Sequence, residues 1–493
     1  MAEPERELTN WEIRFEGSIF DLDRYVSAFT IKYGSDEMHA VWSEKSRALA
    51  VRDLWIATAY VQMEAGLVTQ EQYDDLVVNR EKLDIREAYR MELDRDYSRF
   101  TGHDIVAASR EYGDKAKIGG SIIGKGETSE EPLSNSEILL THKGIDILDR
   151  RIVSVLTSLV SPIRKYKDLI CMEWTHLQAA EPTTVGLRLA GYAQDLLNDL
   201  SILRFFKTLI LGKGIKGAVG TSASFTHMLE GNPMTAREME DKIMARYGLT
   251  PALITTQTYP RKFALMAVTA NAFMGQSAYK FANDLKILQS TPFGEWAEPR
   301  RRDQVGSFAM PHKENPNNAE GIKALARGLA FHVAHMWFIA ADTTLGRGLE
   351  DSAGKRSVIP ESFLAADEIL VRMDRMVKGL QIREVPIARN LAAYGPFVAM
   401  EIILSELSRN PNVDRPAMHD SLREKARTAN EAVRRGEPNP LQDLVRTDSE
   451  LTKYLSTEEI DSAFTSVNKY IGDAPERCHE MADIIEKELV KTT

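Results

Sequence analysis

Long segments of this chain carry apolar residues at the spacing of an α-helix and contain few helix-breaking residues. Residues 184–211 and 261–290 are the clearest examples, and residues 144–171 and 320–341 follow the same pattern, the former with Pro162 as an expected kink. At 1.5 Å per residue such helices are roughly 30–45 Å long. Several are apolar on more than one face, which predicts packing both inside a bundle and against other subunits.

The rest of the pattern favours an all-α fold. We find no alternating strand pattern of useful length and no repeat at a fixed period, although a few short strands are compatible with the sequence. Segments rich in Gly, Ser, Thr, Asn and Pro interrupt the helices, and binding and catalytic groups usually reside on such loops. We predict these loops at residues 118–136, 175–184, 213–224 and 291–318.

Charge and cysteine content exclude several classes of protein. A net charge of -10 gives no overall attraction to nucleic acid or to an anionic membrane. The two cysteines, Cys171 and Cys478, are far apart and lack metal-ligand spacing, which is typical of a reducing compartment. The start of the chain shows no apolar leader, and no later stretch of uninterrupted apolar residues reaches the length expected of a membrane span. We therefore expect a cytoplasmic protein that needs no metal or cofactor and binds neither nucleic acid nor membrane.

The segment at residues 306–316 reads G-S-F-A-M-P-H-K-E-N-P. It presents the hydroxyl of Ser307, the ammonium of Lys313 and the amide of Asn315 within nine residues. Taken alone, it is compatible with an ordinary turn-rich loop and a solvated lysine. Four other segments accompany it, T-H-L-Q-A-A-E-P-T-T-V-G at 175–186, G-T-S-A-S-F at 220–225, Q-T-Y-P-R-K at 257–262 and R-G-L-E-D-S-A-G-K-R at 347–356.

Together these segments resemble the motifs of the fumarase/aspartase superfamily and follow the same order along the chain. The resemblance extends from about residue 30 to residue 480. The last two most resemble its adenylosuccinate lyase branch. The resemblance implies an all-α, three-domain subunit whose long central helices join those of three neighbours in a homotetramer, with each active site shared between three subunits. The domains expected from it are an N-terminal helical domain at 1–120, a central long-helix bundle at 121–375 that includes a signature loop at 303–318, and a C-terminal helical domain at 376–493.

The resemblance also implies a reaction. It is the elimination of fumarate from an N-succinyl compound, with adenylosuccinate as the leading substrate and the related carboxamide-imidazole nucleotide of purine synthesis as an open second one. Ser307 would then be the general base and His176 the general acid, while His103 assists. Lys313 and Asn315 would hold the carboxylate whose negative charge grows in the transition state.

Further residues would bind the substrate by the same resemblance. Asp104 would contact the ribose, although it could instead cap the helix that follows it. The positions matched to the phosphate are Arg347, Ser352 and Arg356, although the two arginines could instead pair with Glu350 and Asp351. Ser136, Thr175 and Ser224 could bind the succinyl carboxylates, and the remaining expected contacts are Lys32, Tyr33, Asn135 and Ser222.

The chain departs from the family pattern at several of these places. Gly102, Ser222 and Gly321 stand where the family usually has arginine, glutamine and arginine. Phe308 replaces a second serine, and Glu314 replaces a frequent basic residue. Two alternatives therefore stay open at this point, a divergent lyase that cleaves another N-succinyl compound and a structural relative without activity.

Overall fold

The structure, a computed structural model, describes residues 25–301, 303 and 305–490. The helices in chain order are α1 (Ala28–Ile31), α2 (Asp36–Val41), α3 (Glu44–Glu64), α4 (Gln70–Asn79), α5 (Ile85–Leu93), α6 (Asp104–Lys115), α7 (Glu130–Lys165), α8 (Val185–Leu209), α9 (Ala223–Met228), α10 (Ala236–Tyr247), α11 (Lys262–Gln289), α12 (Asn317–Ala341), α13 (Asp351–Lys378), α14 (Glu384–Leu407), α15 (Arg415–Arg434), α16 (Leu441–Arg446), α17 (Thr457–Thr465) and α18 (Ala474–Val490). The strands are β1 (Ile170–Thr175), β2 (Gln178–Thr184), β3 (Trp296–Ala297) and β4 (Gln381–Ile382). The all-α prediction is confirmed.

Local sequence signals set many of the helix ends. Thr235 caps α10 and forms a capping box with Glu238, so that backbone donors at the helix start are satisfied by side chains. The same helix ends at Gly248, whose φ of 84° is left-handed and costs glycine little. Ser456 and Glu459 form an equivalent capping box at the start of α17.

Three of the four long helices lie where the apolar pattern predicts them. The helices α8, α11 and α12 begin and end within three residues of the predicted segments. The fourth prediction, at 144–171, was wrong at both ends, because α7 begins at Glu130 and ends at Lys165. Polar residues in its first turns suggested a loop, but they are buried and hydrogen-bonded, as when Ser134 donates to Glu130 at 2.6 Å. Pro162 lies inside the helix near its end.

The segment at 175–184, predicted as a loop, is mostly a β-hairpin. Strands β1 and β2 pair in antiparallel register, with Ile170 opposite Thr184 and Thr175 opposite Gln178. Trp174 anchors this hairpin through edge-on contacts with the rings of Phe293 at 4.9 Å and Tyr394 at 5.4 Å. The apolar and β-branched residues of both strands are what favours pairing here.

The chain divides into two compact units. Among the described residues, the first contains 25–152, 199–278 and 324–371, and the second contains 153–198, 279–323 and 372–490. A core in the first unit includes Val51, Trp55, Leu76 and Tyr112. A core in the second unit includes Met172, Val398, Ile403, Leu422, Leu441 and Ile460. The expected division into three consecutive domains remains a prediction.

Two described helices, α12 and α14, are long and apolar enough to meet a length-and-composition test for a membrane span. Within the tested window 22% of α12 and 39% of α14 is buried. The helices of a protein core or of a subunit interface pass the same test, so it does not separate these cases.

Candidate active site

A polar cavity of about 400 Å³ lies within the first unit. Its wall comes from α3, α5, the start of α6, the first turns of α7 and the start of α13, together with the loop before α13. The volume is in the range of small-molecule sites. Of the residues predicted to bind substrate or assist catalysis, the cavity brings together His103, Asp104, Ser136, Arg347, Ser352 and Arg356.

The centre of this polar cavity is an ion pair between Asp104 and Arg356. Nη2 of Arg356 donates to Oδ2 of Asp104 at 3.0 Å, and the backbone N–H of Ile105 donates to Oδ1 at 2.8 Å. Burial by itself would raise the pKa of Asp104, but these hydrogen bonds and the charges of Arg356 and Arg47 lower it overall. Asp104 is the first residue of α6 and does not occupy the capping position, which belongs to His103.

His103 lies beside this pair on the rim of the polar cavity. Its Nδ1 is 3.3 Å from Oδ1 of Asp104, and its side chain is about half exposed. No capping hydrogen bond comes from the His103 side chain. The imidazole is therefore oriented by a carboxylate while its other face is open to a ligand.

Arg347 has partners other than the acidic residues next to it in the sequence. Its Nη1 lies 2.6 Å from Oε1 of Glu130 and donates to Oε1 of Gln257 at 3.2 Å. Asp351 instead pairs with Nε of Arg261 at 2.6 Å. The two expected phosphate-binding arginines thus line the cavity, each already facing a carboxylate.

Asn135 and Ser136 lie on α7 rather than on a loop. Asn135 is fully buried, its Nδ2 donates to the carbonyl oxygens of Glu131 and Gly214, and its Oδ1 accepts from the N–H of Gly214. Its described partners are therefore all protein groups, and a substrate contact there remains a prediction. Ser136 donates to the carbonyl of Leu133 at 3.0 Å and lines the polar cavity.

The remaining predicted residues of the first unit lie outside the polar cavity. Ser222 lines a separate cavity of about 630 Å³ beside α10, in a left-handed conformation with a φ of 57°. Ser224 donates to the carbonyl of Gly126 at 2.9 Å. Lys32 is the C-cap residue that follows α1, and the ring of Tyr33 packs on that of Phe29 at 5.6 Å. None of these four residues shares a described cavity with Asp104.

The signature loop, residues 303–318, belongs to the second unit. Oγ of Ser307 accepts from the N–H of Met310 at 3.2 Å, and Nδ2 of Asn315 donates to the carbonyl of Gly306 at 3.0 Å. Phe308, next to Ser307, is fully exposed. Lys313 is exposed as well. Residues outside the loop also hold it, because Glu314 pairs with Arg300 and Arg383. The loop is therefore fixed by internal hydrogen bonds and by ion pairs, with its expected base half-buried.

His176 is at the tip of the β1–β2 hairpin, also in the second unit. His176 and Leu177 have φ values of 54° and 59°. A two-residue hairpin turn favours positive φ at both central positions, which glycine and asparagine adopt more easily than these residues. Thr175 ends the strand before the tip. Among the described residues no hydrogen bond joins His176 to Ser307; His176 is exposed and Ser307 is half-buried.

Several charged residues of the polar cavity were missed by sequence reasoning. Arg47 approaches Asp104 at 3.9 Å, and the pKa of Glu92 is raised by burial and by the charge of Asp104. Lys355 donates to Oε2 of Glu137 at 2.8 Å. A signal for Lys355 was present, because it follows Ser352 by three residues and so lies on the same helix face. The others come from distant segments that only folding brings together.

Comparison with known proteins places the chain in a family. Residues 121–331 match a family model described as lyase, and residues 396–481 match one described as adenylosuccinate lyase C-terminus. The chain is 32% identical to adenylosuccinate lyase of Schistosoma mansoni over 87% of this chain and 88% of that protein. It is 30% identical to adenylosuccinate lyase of Saccharomyces cerevisiae, over 93% and 94% of the two chains.

Solved structures show the same fold. Fumarate lyase from Mesorhizobium sp. BNC1 superposes with a TM-score of 0.79 at 22% identity, covering 93% of this chain and 99% of that one. The 3-carboxy-cis,cis-muconate lactonizing enzyme from Pseudomonas putida gives a TM-score of 0.77 at 18% identity, covering 92% and 98%. With these relatives, the chain belongs to the adenylosuccinate lyase family of carbon–nitrogen lyases, within the fumarase/aspartase superfamily.

Proposed function

We propose that this carbon–nitrogen lyase cleaves adenylosuccinate to AMP and fumarate. The observation that carries the proposal is the polar cavity, where Asp104, Arg347, Ser352 and Arg356 converge. A carboxylate suits ribose hydroxyls, and two guanidinium groups with a hydroxyl suit a phosphate. A nucleotide also fits a cavity of this size.

The chemistry requires one proton to leave carbon and one to reach nitrogen. In our proposal Ser307 removes the proton from the carbon next to a succinyl carboxylate, the carbon–nitrogen bond breaks with its electrons moving to nitrogen, and His176 protonates that nitrogen. Lys313 and Asn315 stabilise the carboxylate while it carries extra negative charge. The exposure of the Ser307 loop supports this assignment, because a loop that closes over substrate must be free to move in its absence.

We further propose a homotetramer whose active sites combine residues of three chains. Large apolar side chains remain exposed on the long helices α8, α11 and α12, as is typical of a surface that another subunit covers. They are Phe205, Phe273, Phe331, Trp337 and Phe338. Light scattering coupled to gel filtration tests this, and a monomeric enzyme with full activity would overturn it.

We place the enzyme in the cytoplasm. The two cysteines are both free and buried, and burial raises the pKa of Cys171 to about 12, so that this thiol stays protonated and unreactive. Free thiols of this kind need no oxidising compartment.

The direct test of the substrate is to incubate purified protein with adenylosuccinate and to measure fumarate and AMP together. Equal amounts of both products at an ordinary enzymatic rate are expected. A folded protein that releases no fumarate from adenylosuccinate, but releases it from another N-succinyl compound, would overturn the substrate and keep the reaction.

A further inference from the structure

The start of α13 presents three polar side chains to the polar cavity on one helix face. Ser352, Lys355 and Arg356 are spaced by three and four residues, so their side chains lie on the same side of the helix. Ser352 and Arg356 are already accounted for by the expected phosphate contacts. Lys355 is not, although it lines the same cavity and its side chain is only 10% exposed.

A second helix holds the ammonium group of Lys355 in place. Its Nζ donates to Oε2 of Glu137 at 2.8 Å. The other oxygen of Glu137 accepts from the hydroxyl of Tyr259, whose ring is buried and lies 4.4 Å below the guanidinium of Arg261. Both oxygens of Glu137 are therefore occupied, which fixes the direction in which it holds Lys355.

The carboxyl of Glu137 stays charged in this setting. Burial would raise its pKa, but the positive charges of Lys355 and Arg261 and the two hydrogen bonds lower it to about 2. An ammonium group has three N–H donors, and one of them is used by Glu137. Buried donors normally find acceptors, and the cavity is the place from which a further acceptor can come.

We propose that Lys355 is a substrate-binding residue that donates to an anionic oxygen of the substrate, and that Glu137 and Tyr259 are the residues that position it. The inference rests on the proposed function, since it adds a third cation to the expected phosphate contacts of Arg347 and Arg356. A compact ammonium suits either a phosphate or a succinyl carboxylate oxygen.

The test compares Lys355→Met and Lys355→Arg with wild type. Lys355→Met keeps the length of the side chain and removes its charge, so KM for adenylosuccinate is expected to rise roughly tenfold to a hundredfold with a smaller change in kcat. Lys355→Arg is expected to recover most of the binding. Lys378→Met is the matched control, because Lys378 on the same helix forms an exposed ion pair with Asp374. The Lys378→Met variant is expected to have the KM and kcat of wild type.

A double variant separates binding from a purely structural role. If Lys355 served only to neutralise Glu137, adding Glu137→Gln to Lys355→Met would restore KM, because no uncompensated charge would remain. We expect the double variant to keep the raised KM of Lys355→Met, because substrate binding still lacks the ammonium group. Restoration of wild-type KM, or an unchanged KM in a folded Lys355→Met, would overturn the proposal.

Direct binding of AMP, which carries the phosphate, and of succinate, which carries the two carboxylates of the succinyl group, identifies the anionic group without turnover. Calorimetric titration with AMP and with succinate is compared between wild type and Lys355→Met. Weaker AMP binding assigns the phosphate, and weaker succinate binding assigns the carboxylate. Undiminished binding of both overturns the inference. If the wild type binds AMP through Lys355 but does not cleave adenylosuccinate, the proposed reaction is wrong and the binding site stands. If the wild type binds neither AMP nor succinate, the proposed reaction and the proposed binding site are both wrong.

Discussion

The two sets of expected active-site residues differ in how far one chain completes them. In the polar cavity of the first unit, Asp104, Arg347 and Arg356 each have a charged partner within 3.0 Å. In the second unit, Ser307 and His176 lie on exposed backbone turns, and His176 has a positive φ. The comparison teaches that ion pairs preorganise the binding groups within a single chain. In our proposal, the catalytic groups are completed by loop closure and by residues of other subunits.

The largest expected effect concerns the signature loop. Ser307→Ala removes the proposed base, so kcat is expected to fall at least a thousandfold, within the range that general base catalysis contributes. Binding of adenylosuccinate is expected to change little, because the polar cavity does not contain Ser307. Steady-state kinetics and calorimetry of the variant check both statements. Wild-type turnover in Ser307→Ala would remove the serine from the mechanism.

The next largest effect is expected on stability, at the buried carboxyl group of Glu127 rather than at the ion pairs of the polar cavity. Glu127 precedes α7, and burial raises its pKa to about 8, although Thr58 donates to it at 2.7 Å. Because its pKa is higher in the folded than in the unfolded chain, wild type loses stability as pH rises from about 4.5 to 8. Glu127→Gln cannot ionise, so at pH 9 it is expected to be more stable than wild type by roughly 2–4 kcal/mol.

Chemical denaturation of both proteins between pH 5 and 9 measures this difference in the free energy of unfolding. The difference is expected to shrink steadily as pH falls from about 8 toward 5, because Glu127 stays protonated in the folded chain and becomes increasingly protonated in the unfolded chain. Curves that stay parallel over the whole range would show that Glu127 is ionised in the folded protein.

The ion pair at the centre of the polar cavity gives a smaller effect. Arg356→Gln removes a charge-assisted hydrogen bond to the ligand and leaves Asp104 without its partner at 3.0 Å. KM is expected to rise roughly tenfold to a hundredfold, and kcat less. Arg409→Gln, at an exposed ion pair with Glu406, is the matched control. An unchanged KM in Arg356→Gln would show that the substrate does not bind in this cavity.

The smallest expected effect concerns the hairpin tip. Leu177 has a φ of 59° and is exposed, so Leu177→Gly relieves backbone strain without removing a core contact. Stability is expected to rise by about 1 kcal/mol. Activity is the more informative measurement, because a tip that must hold His176 rigidly would lose kcat when it becomes more flexible. Unchanged stability would mean that the tip is not strained.

The accuracy of the sequence-based predictions followed the range of the interactions. The bounds of α8, α11 and α12 were predictable, because apolar spacing and helix ends are properties of neighbouring residues. The start of α7 was not, because its polar residues are buried through partners such as Gly214 that lie far away in the sequence. The hairpin at 175–184 was predicted as a loop because its stability also depends on contacts that are distant in sequence. The two strands must pair, and Trp174 must contact Phe293 and Tyr394.

The sequence by itself determined the fold class, the long helices, the family and the residue types of the reaction, because motifs and periodicity are encoded locally. Only the tertiary structure decided which charges face each other. It paired Arg347 with Glu130 rather than with its neighbours Glu350 and Asp351, and it placed Lys355 against Glu137. Ion pairs join side chains over a few ångströms, whatever their separation along the chain, so the packing of helices selects the partners.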